Sequence, residues 1–150
     1  MSVPGPLYCD SSALAKLYWP EAGSEAFNRM VQGRHDLLVS DLALTETVSA
    51  VSRRMREGVV TGETARRVQQ AIVAQLDDGS YQRVELTRHT HRQAESLLIA
   101  LTATPLRAAD ALHLAMATSA RAASLASFDA RLRAAARAVG LYVSPPQEAS

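Results

Sequence analysis

The sequence predicts an α/β domain, and three observations carry that reading. Short apolar runs with strand character, Leu7-Tyr8-Cys9, Asp36 to Ser40 and Ala123 to Phe128, alternate with helical patterns along the chain. Two of these runs end on an acid, Asp10 and Asp129, at the place where an open α/β sheet usually binds its ligand. The length, 150 residues of which 47% are hydrophobic, suits one compact core and not comfortably two.

The first strand follows the lead-in Pro4-Gly5-Pro6 and runs into Asp10. Ser11 and Ser12 open a helix over Ala13 to Tyr18, which Pro20 stops. Asp10 is then either the N-cap of that helix or a functional acid, and at this level both readings stay open. A second helix spans Glu21 to Gln32 and ends at Gly33, before the second strand. Ser40 or Asp41 caps a third helix, with Leu44, Val48, Val51 and Met55 along one face. Glu46 lies about 200° from Leu44 on that helix. It is either a solvated glutamate favoured by the helix dipole or an acid that faces a cleft.

Gly58 ends the third helix, and Thr61 with Thr64 begins a fourth that runs to Leu76 on a stripe of Val68, Ile72 and Leu76. Tyr81 to Leu86 has strand character with poor alternation. His89 and His91 cannot share one metal from a continuous helix, because their rings point about 200° apart. A helix from Arg92 to Ala103 buries Ala94, Leu97, Leu98 and Leu101, and Pro105 separates it from the next. Leu106 to Ala117 is apolar on almost every side, the pattern of a buried helix. After the strand that ends at Asp129, a helix over Ala130 to Val139 closes at Gly140, and Leu141-Tyr142-Val143 forms a last strand. One domain thus spans residues 1–144, and residues 145–150 read as a flexible tail.

Composition narrows the chemistry. Of 16 basic residues, 15 are arginine and Lys16 is the one lysine, within a formal net charge of +1. Arginine suits bidentate contact with phosphate and carboxylate, and the cluster of Arg53, Arg54, Arg56, Arg66 and Arg67 is either a solvated face or a phosphate contact. A single cysteine, Cys9, excludes an internal disulfide and a cysteine-rich zinc site. With no long apolar run and no signal-peptide pattern, the expectation is a soluble, cytoplasmic protein without a membrane partner.

Asp110 stands in the helix that should be buried, and a buried carboxylate needs a counter-charge. Arg107, one turn away, is the local candidate. A metal shared with other acids is the wider one. Asp10, Glu46, Asp110 and Asp129 would repel one another if gathered bare, and a hard divalent cation such as magnesium or manganese reverses that penalty. A site of this kind suits phosphodiester hydrolysis. Neither a G-x-S-x-G nor a P-loop motif competes with it.

Four stretches then resemble one family across nearly the whole chain: Leu7 to Tyr18, Leu44-Thr45-Glu46-Thr47, Leu106 to Ala115, and Ser127 to Leu132. In their order, spacing and placement they are similar to PIN-domain proteins, and among these to the VapC-type toxins of bacterial toxin–antitoxin pairs. The resemblance implies a three-layer α/β/α sandwich around a central, mainly parallel sheet. It also implies an endoribonuclease dependent on Mg²⁺, or alternatively Mn²⁺, whose catalytic and metal-holding acids are Asp10, Glu46, Asp110 and Asp129. The substrate would be a structured RNA such as tRNA or rRNA, cut by activated water to leave a 5′-phosphate and a 3′-hydroxyl. Ser127 and Ser12 match hydroxyl positions placed to orient a carboxylate or a water. Arg53 and Arg107 are the candidates for contact with RNA phosphate, and His113, where the family often has histidine, reads as a packing and hydrogen-bonding residue. The implied partners are a cognate antitoxin and a second copy of the chain.

Rival classes fare less well. A receiver-type phospho-acceptor needs a late lysine that the chain lacks, and a haloacid-dehalogenase-type phosphatase needs an aspartate where Ser12 stands. A catalytically weak interaction protein that works through its antitoxin stays open, with Leu14, Leu17, Tyr18, Trp19 and Phe27 as either core or docking residues.

Overall fold

The computed structural model describes residues 2–146. Its strands are Leu7–Cys9 (β1), Leu37–Ser40 (β2), Gln82–Val84 (β3), Ser124–Ala126 (β4) and Tyr142–Ser144 (β5). They form one parallel sheet in the order β3-β2-β1-β4-β5, with Leu7 opposite both Leu37 and Ser124. The chain leaves β1 toward one edge through β2 and β3, then returns to the other side of β1 for β4 and β5. That reversal opens a crevice at the carboxyl ends of β1 and β4, the usual ligand position of such sheets.

The helices are Ser11–Lys16 (α1), Ser24–Val31 (α2), Asp41–Arg56 (α3), Gly62–Asp77 (α4), Arg88–Ala100 (α5), Ala108–Ser119 (α6) and Ala130–Ala138 (α7). Strand alternation sends Leu7, Cys9, Leu37 and Val39 to one face, where they pack with Leu14, Phe27, Val51 and Ile72 from α1 to α4. Tyr8, Leu38, Leu125 and Val143 fill the other face against Leu114 and Met116 of α6 and Leu132 of α7. The result is the α/β/α sandwich expected from the sequence. Helix α6 carries buried residues nearly all round, as its pattern requires, and Val68, Ile72 and Leu76 form the buried stripe of α4.

Several boundaries differ from the sequence reading. Helix α5 starts at Arg88 instead of Arg92 because Thr87 and Thr90 satisfy each other's backbone amides in a reciprocal cap. Its inward stripe is Thr90, Ala94, Leu97 and Leu101, so Leu98 lies outside it, 38% exposed. Helix α2 starts at Ser24 rather than Glu21, after Gly23 takes a left-handed φ of 87°. In α3 the buried face is Ala43, Thr47 and Val51, and Met55 is exposed. Pro145, expected in the loose tail, has its carbonyl held by an Arg133 Nη2 donor at 2.6 Å. Residues 147–150 of that tail lie outside the described residues. Among the described residues no helix is long and apolar enough to cross a membrane.

Candidate active site

Asp10 leaves β1 and caps α1, and the cap fixes its carboxylate at the carboxyl end of the strand. Its Oδ1 accepts the Ala13 amide at 2.9 Å and the Ser12 hydroxyl at 2.7 Å, and its Oδ2 accepts the Ser127 hydroxyl at 2.5 Å. Only 4% of the residue is exposed. Burial pushes the carboxyl above its ordinary range, while the nearby His113 and the three hydrogen bonds pull it back in part. The two serines also reach the neighbouring strand end. Ser12 Oγ accepts the Phe128 amide at 2.8 Å, and Ser127 Oγ accepts the Asp129 amide at 3.0 Å. Asp129 in turn caps α7 by accepting the Arg131 amide at 2.9 Å. The acids that end β1 and β4 are therefore clamped to each other through hydroxyls.

The helical acids are held differently. Glu46, from α3, accepts a close hydrogen bond from His113 Nε2. His113 is buried and follows Asp110 by one turn of α6, so this contact ties α3 to α6. Its other ring nitrogen, Nδ1, lies 2.7 Å from the Tyr8 hydroxyl. Asp110 is buried too, but the ion pair considered for it with Arg107 is not formed. The Asp110 Oδ2 accepts the backbone N–H of Arg107 at 3.1 Å, while the Arg107 side chain is exposed. At the third position of α6 a carboxylate folds back onto the cap amide, which satisfies an orphan donor without the guanidinium.

A cleft of about 280 Å³ has Glu46, but not Asp10, Asp110 or Asp129, in its lining, with Ser12, Lys16, Trp19, Arg54 and Phe128 among the others. Its Lys16 pairs with Glu21 at 3.0 Å and lies over the Phe128 ring. Arg54 is shared between Glu21 and the Trp19 face. Arg53 and Arg107 are exposed and have no ion-pair partner among the described residues. Leu14 and Phe27 are core, whereas Leu17, Tyr18 and Trp19 are half-buried. His89 and His91 are both exposed on α5.

The acids present the oxygen donors that a hard divalent cation prefers. Every acid offers oxygen, and among the described residues Glu46 Oε2 and Asp110 Oδ1 have no hydrogen-bond partner. Asp10 uses three of roughly four acceptor sites of a carboxylate. Among the described residues no three His, Cys, Asp or Glu side chains stand close enough to enclose an ion by themselves. An ion at these acids would therefore have to keep much of its water, as magnesium does when one or two carboxylates and a substrate phosphate hold it. Sequence reasoning missed Tyr8, although it lies two residues before Asp10 and so on the same side of the strand.

Fold and site together define a class, and the chain belongs to the PIN-domain family, whose domain it matches over residues 7–138. Within that family it is similar to Ribonuclease VapC46 of Mycobacterium tuberculosis, with 33% identity over 142 residues that cover 93% of this chain and 97% of the relative. Among solved structures it is similar to the Mycobacterium tuberculosis VapC20 crystal structure, a sarcin-ricin loop cleaving toxin (TM-score 0.70, 20% identity, 86% of this chain and 94% of that one). It is likewise similar to a toxin–antitoxin complex from Klebsiella pneumoniae (TM-score 0.66, 14% identity, 95% and 98%). The last two likenesses concern the fold.

Proposed function

We propose that this chain is a Mg²⁺- or Mn²⁺-dependent endoribonuclease and the toxin of a toxin–antitoxin pair. The observation that carries this reading is Asp10, a buried carboxylate held by three donors at the switch point of the sheet, with no cationic side chain bonded to it among the described residues. Similarity to a ribonuclease over almost the full length supports RNA as substrate. Asp10, Glu46 and Asp110 would hold the ion directly or through water, and Asp129 completes the acidic rim. When bound, the ion supplies Lewis acidity toward the phosphoryl oxygens and an attacking water of lowered pKa.

The chain's own residues do the rest. Ser12 and Ser127 keep both Asp10 oxygens oriented and join the two strand ends. His113 holds Glu46. Exposed Arg53 and Arg107 contact RNA phosphates, the sequence-independent part of the affinity. A groove of about 660 Å³ between α1 and α2, lined by Leu17, Tyr18 and Trp19 with polar residues of α2, seats a segment of the antitoxin. The active species is a cytoplasmic homodimer acting on structured RNA such as tRNA or rRNA.

The test is incubation of the purified protein with tRNA and rRNA fragments in Mg²⁺ or Mn²⁺. Ion-dependent cleavage that Asp10→Asn abolishes is expected. Cleavage that survives EDTA overturns the mechanism. Tight antitoxin binding with no cleavage favours a fold kept for interaction alone.

A further inference from the structure

We infer that Lys16 and Arg54 form a phosphate subsite for the substrate strand, away from the scissile bond, and that the Glu21 carboxylate occupies it until RNA arrives. The subsite rests on the proposed ribonuclease activity and adds how the strand is held. Its parts come from three places in the fold. Lys16 ends α1, Arg54 stands in the last turn of α3, and Trp19 and Glu21 belong to the connection between α1 and α2. All four line the cleft of about 280 Å³ whose wall also includes Glu46. An anion held by the two cations therefore shares one cavity with an acid of the proposed metal centre.

Three donors converge on Glu21. Lys16 Nζ lies 3.0 Å from Oε1, and Arg54 Nη2 and Trp19 Nε1 each donate to Oε2 at 3.2 Å. An ammonium, a guanidinium and an indole N–H around two oxygens suit the two non-bridging oxygens of a phosphodiester equally well. The cations are aimed by aromatic faces. Lys16 Nζ stands 4.7 Å from the centroid of Phe128, and the Arg54 guanidinium 4.6 Å from that of Trp19. Neither has another ion-pair partner among the described residues, so two positive charges share one negative and the cluster stays attractive to an incoming anion. Exchange of the carboxylate for a phosphodiester keeps that balance, since each carries one negative charge.

Glu21 can leave while its backbone stays. Its N–H donates to Ser24 Oγ at 3.0 Å and its carbonyl accepts the Ser24 amide at 3.0 Å, which anchors the main chain where α2 begins. Its side chain is 29% exposed, so rotation carries the carboxylate into water. The Lys16 side chain, 12% exposed, stays on the Phe128 ring and then needs a new anion. Burial pushes the Glu21 carboxyl up, but the bonds from Lys16 and Trp19 and the charges of Lys16 and Arg54 hold it below its ordinary range. The group in place is thus an anion at neutral pH, as the phosphate would be.

Trp19 is the single tryptophan of the chain, so its fluorescence reports on this cleft. The test titrates the full chain, in EDTA to keep the strand intact, with inorganic phosphate and separately with a short single-stranded RNA. A saturable change in Trp19 emission is expected with both, at lower concentration for the RNA. Glu21→Gln, which removes the competing anion, should tighten RNA binding about 5-fold, the upper range for one exposed charge pair. Arg54→Met should weaken it about 5-fold and reduce the salt slope by about 0.7, the share of one phosphate contact on a single strand. Unchanged or weaker RNA binding in Glu21→Gln overturns the proposal, because an ion pair that serves the fold alone moves only the melting temperature. A response to phosphate with none to RNA overturns it too, since it marks a site for a free anion. Should Arg54→Met fail to fold, Glu21→Gln and the unaltered protein decide. Mg²⁺-dependent cleavage without any Trp19 response refutes the subsite alone; a Trp19 response to RNA without cleavage counts against the nuclease reading and leaves the subsite standing.

Discussion

At the strand ends, Asp10 takes three hydrogen bonds, two from its own helix turn and one from the adjacent strand end. Across the crevice, Glu46 and Asp110 take one each among the described residues, from His113 and from the Arg107 amide. The first half is preorganised by a cap within one helix turn and by hydroxyl clamps that join strand ends 117 and 116 positions apart in sequence. The second half is held more sparsely, by one tertiary bond between Glu46 and His113 across 67 positions of sequence and one local bond from the Arg107 amide to Asp110. On the proposed reading the strand-end acids would fix the centre, and the helical acids would complete it with oxygens that remain free.

The largest expected effect breaks the first half. Asp10→Asn should lower cleavage by at least about 10²-fold, the scale of a removed electrostatic or acid–base group. It should also raise the melting temperature of the metal-free protein at pH 7.5. The folded state raises the Asp10 pKa, so it holds that proton more tightly than the unfolded chain does. The resulting stability is present below the unfolded carboxylate range, about pH 4, and is lost as pH rises through the folded pKa. Without an ion, the ionised buried acid then weakens the native fold at pH 7.5, and asparagine does not. Melting curves with and without saturating Mn²⁺ check this, since the ion should stabilise the unaltered protein and not the variant.

Ser127→Ala sharpens the same half. It removes a donor to Asp10 and the acceptor of the Asp129 amide. Mn²⁺ titration should give an affinity about 10- to 100-fold lower, and denaturation a loss of about 1–3 kcal/mol from unsatisfied groups. Glu46→Gln tests the second half. Glutamine can still accept from His113, so stability should change by less than about 0.5 kcal/mol for this half-exposed site, while cleavage in Mn²⁺ falls. The smallest effects belong to the rim. Arg107→Ala and Arg53→Ala should each raise KM a few-fold, keep kcat, and reduce the salt dependence of RNA binding by a slope of about 1 per lost phosphate contact.

The two halves also differed in how far the sequence exposed them. Asp10 and Asp129 were legible because an acid that ends an apolar run before a helix is a local pattern, and Ser12 and Ser127 lie within two residues of those acids. The buried nature of α6, and so the anomaly of Asp110, followed from periodicity. Its partner did not. Sequence spacing offered the Arg107 side chain, but the cap geometry chose the Arg107 amide instead. Glu46 looked solvated because its own helix says nothing of what faces its second side, and the answer lies on α6. Tyr8 read as one apolar residue of a buried strand, although a buried phenol always needs a partner for its hydroxyl. Leu98 was misplaced because the Thr87–Thr90 cap starts α5 a turn early and sets its stripe.

The most direct test of the account is one Mn²⁺ titration in which ion binding and RNA cleavage are read from the same samples, for the unaltered protein and for Asp10→Asn. The account predicts that cleavage rises with the same midpoint as binding and that both vanish in the variant. Cleavage at full rate in EDTA, or undiminished in Asp10→Asn, would contradict it.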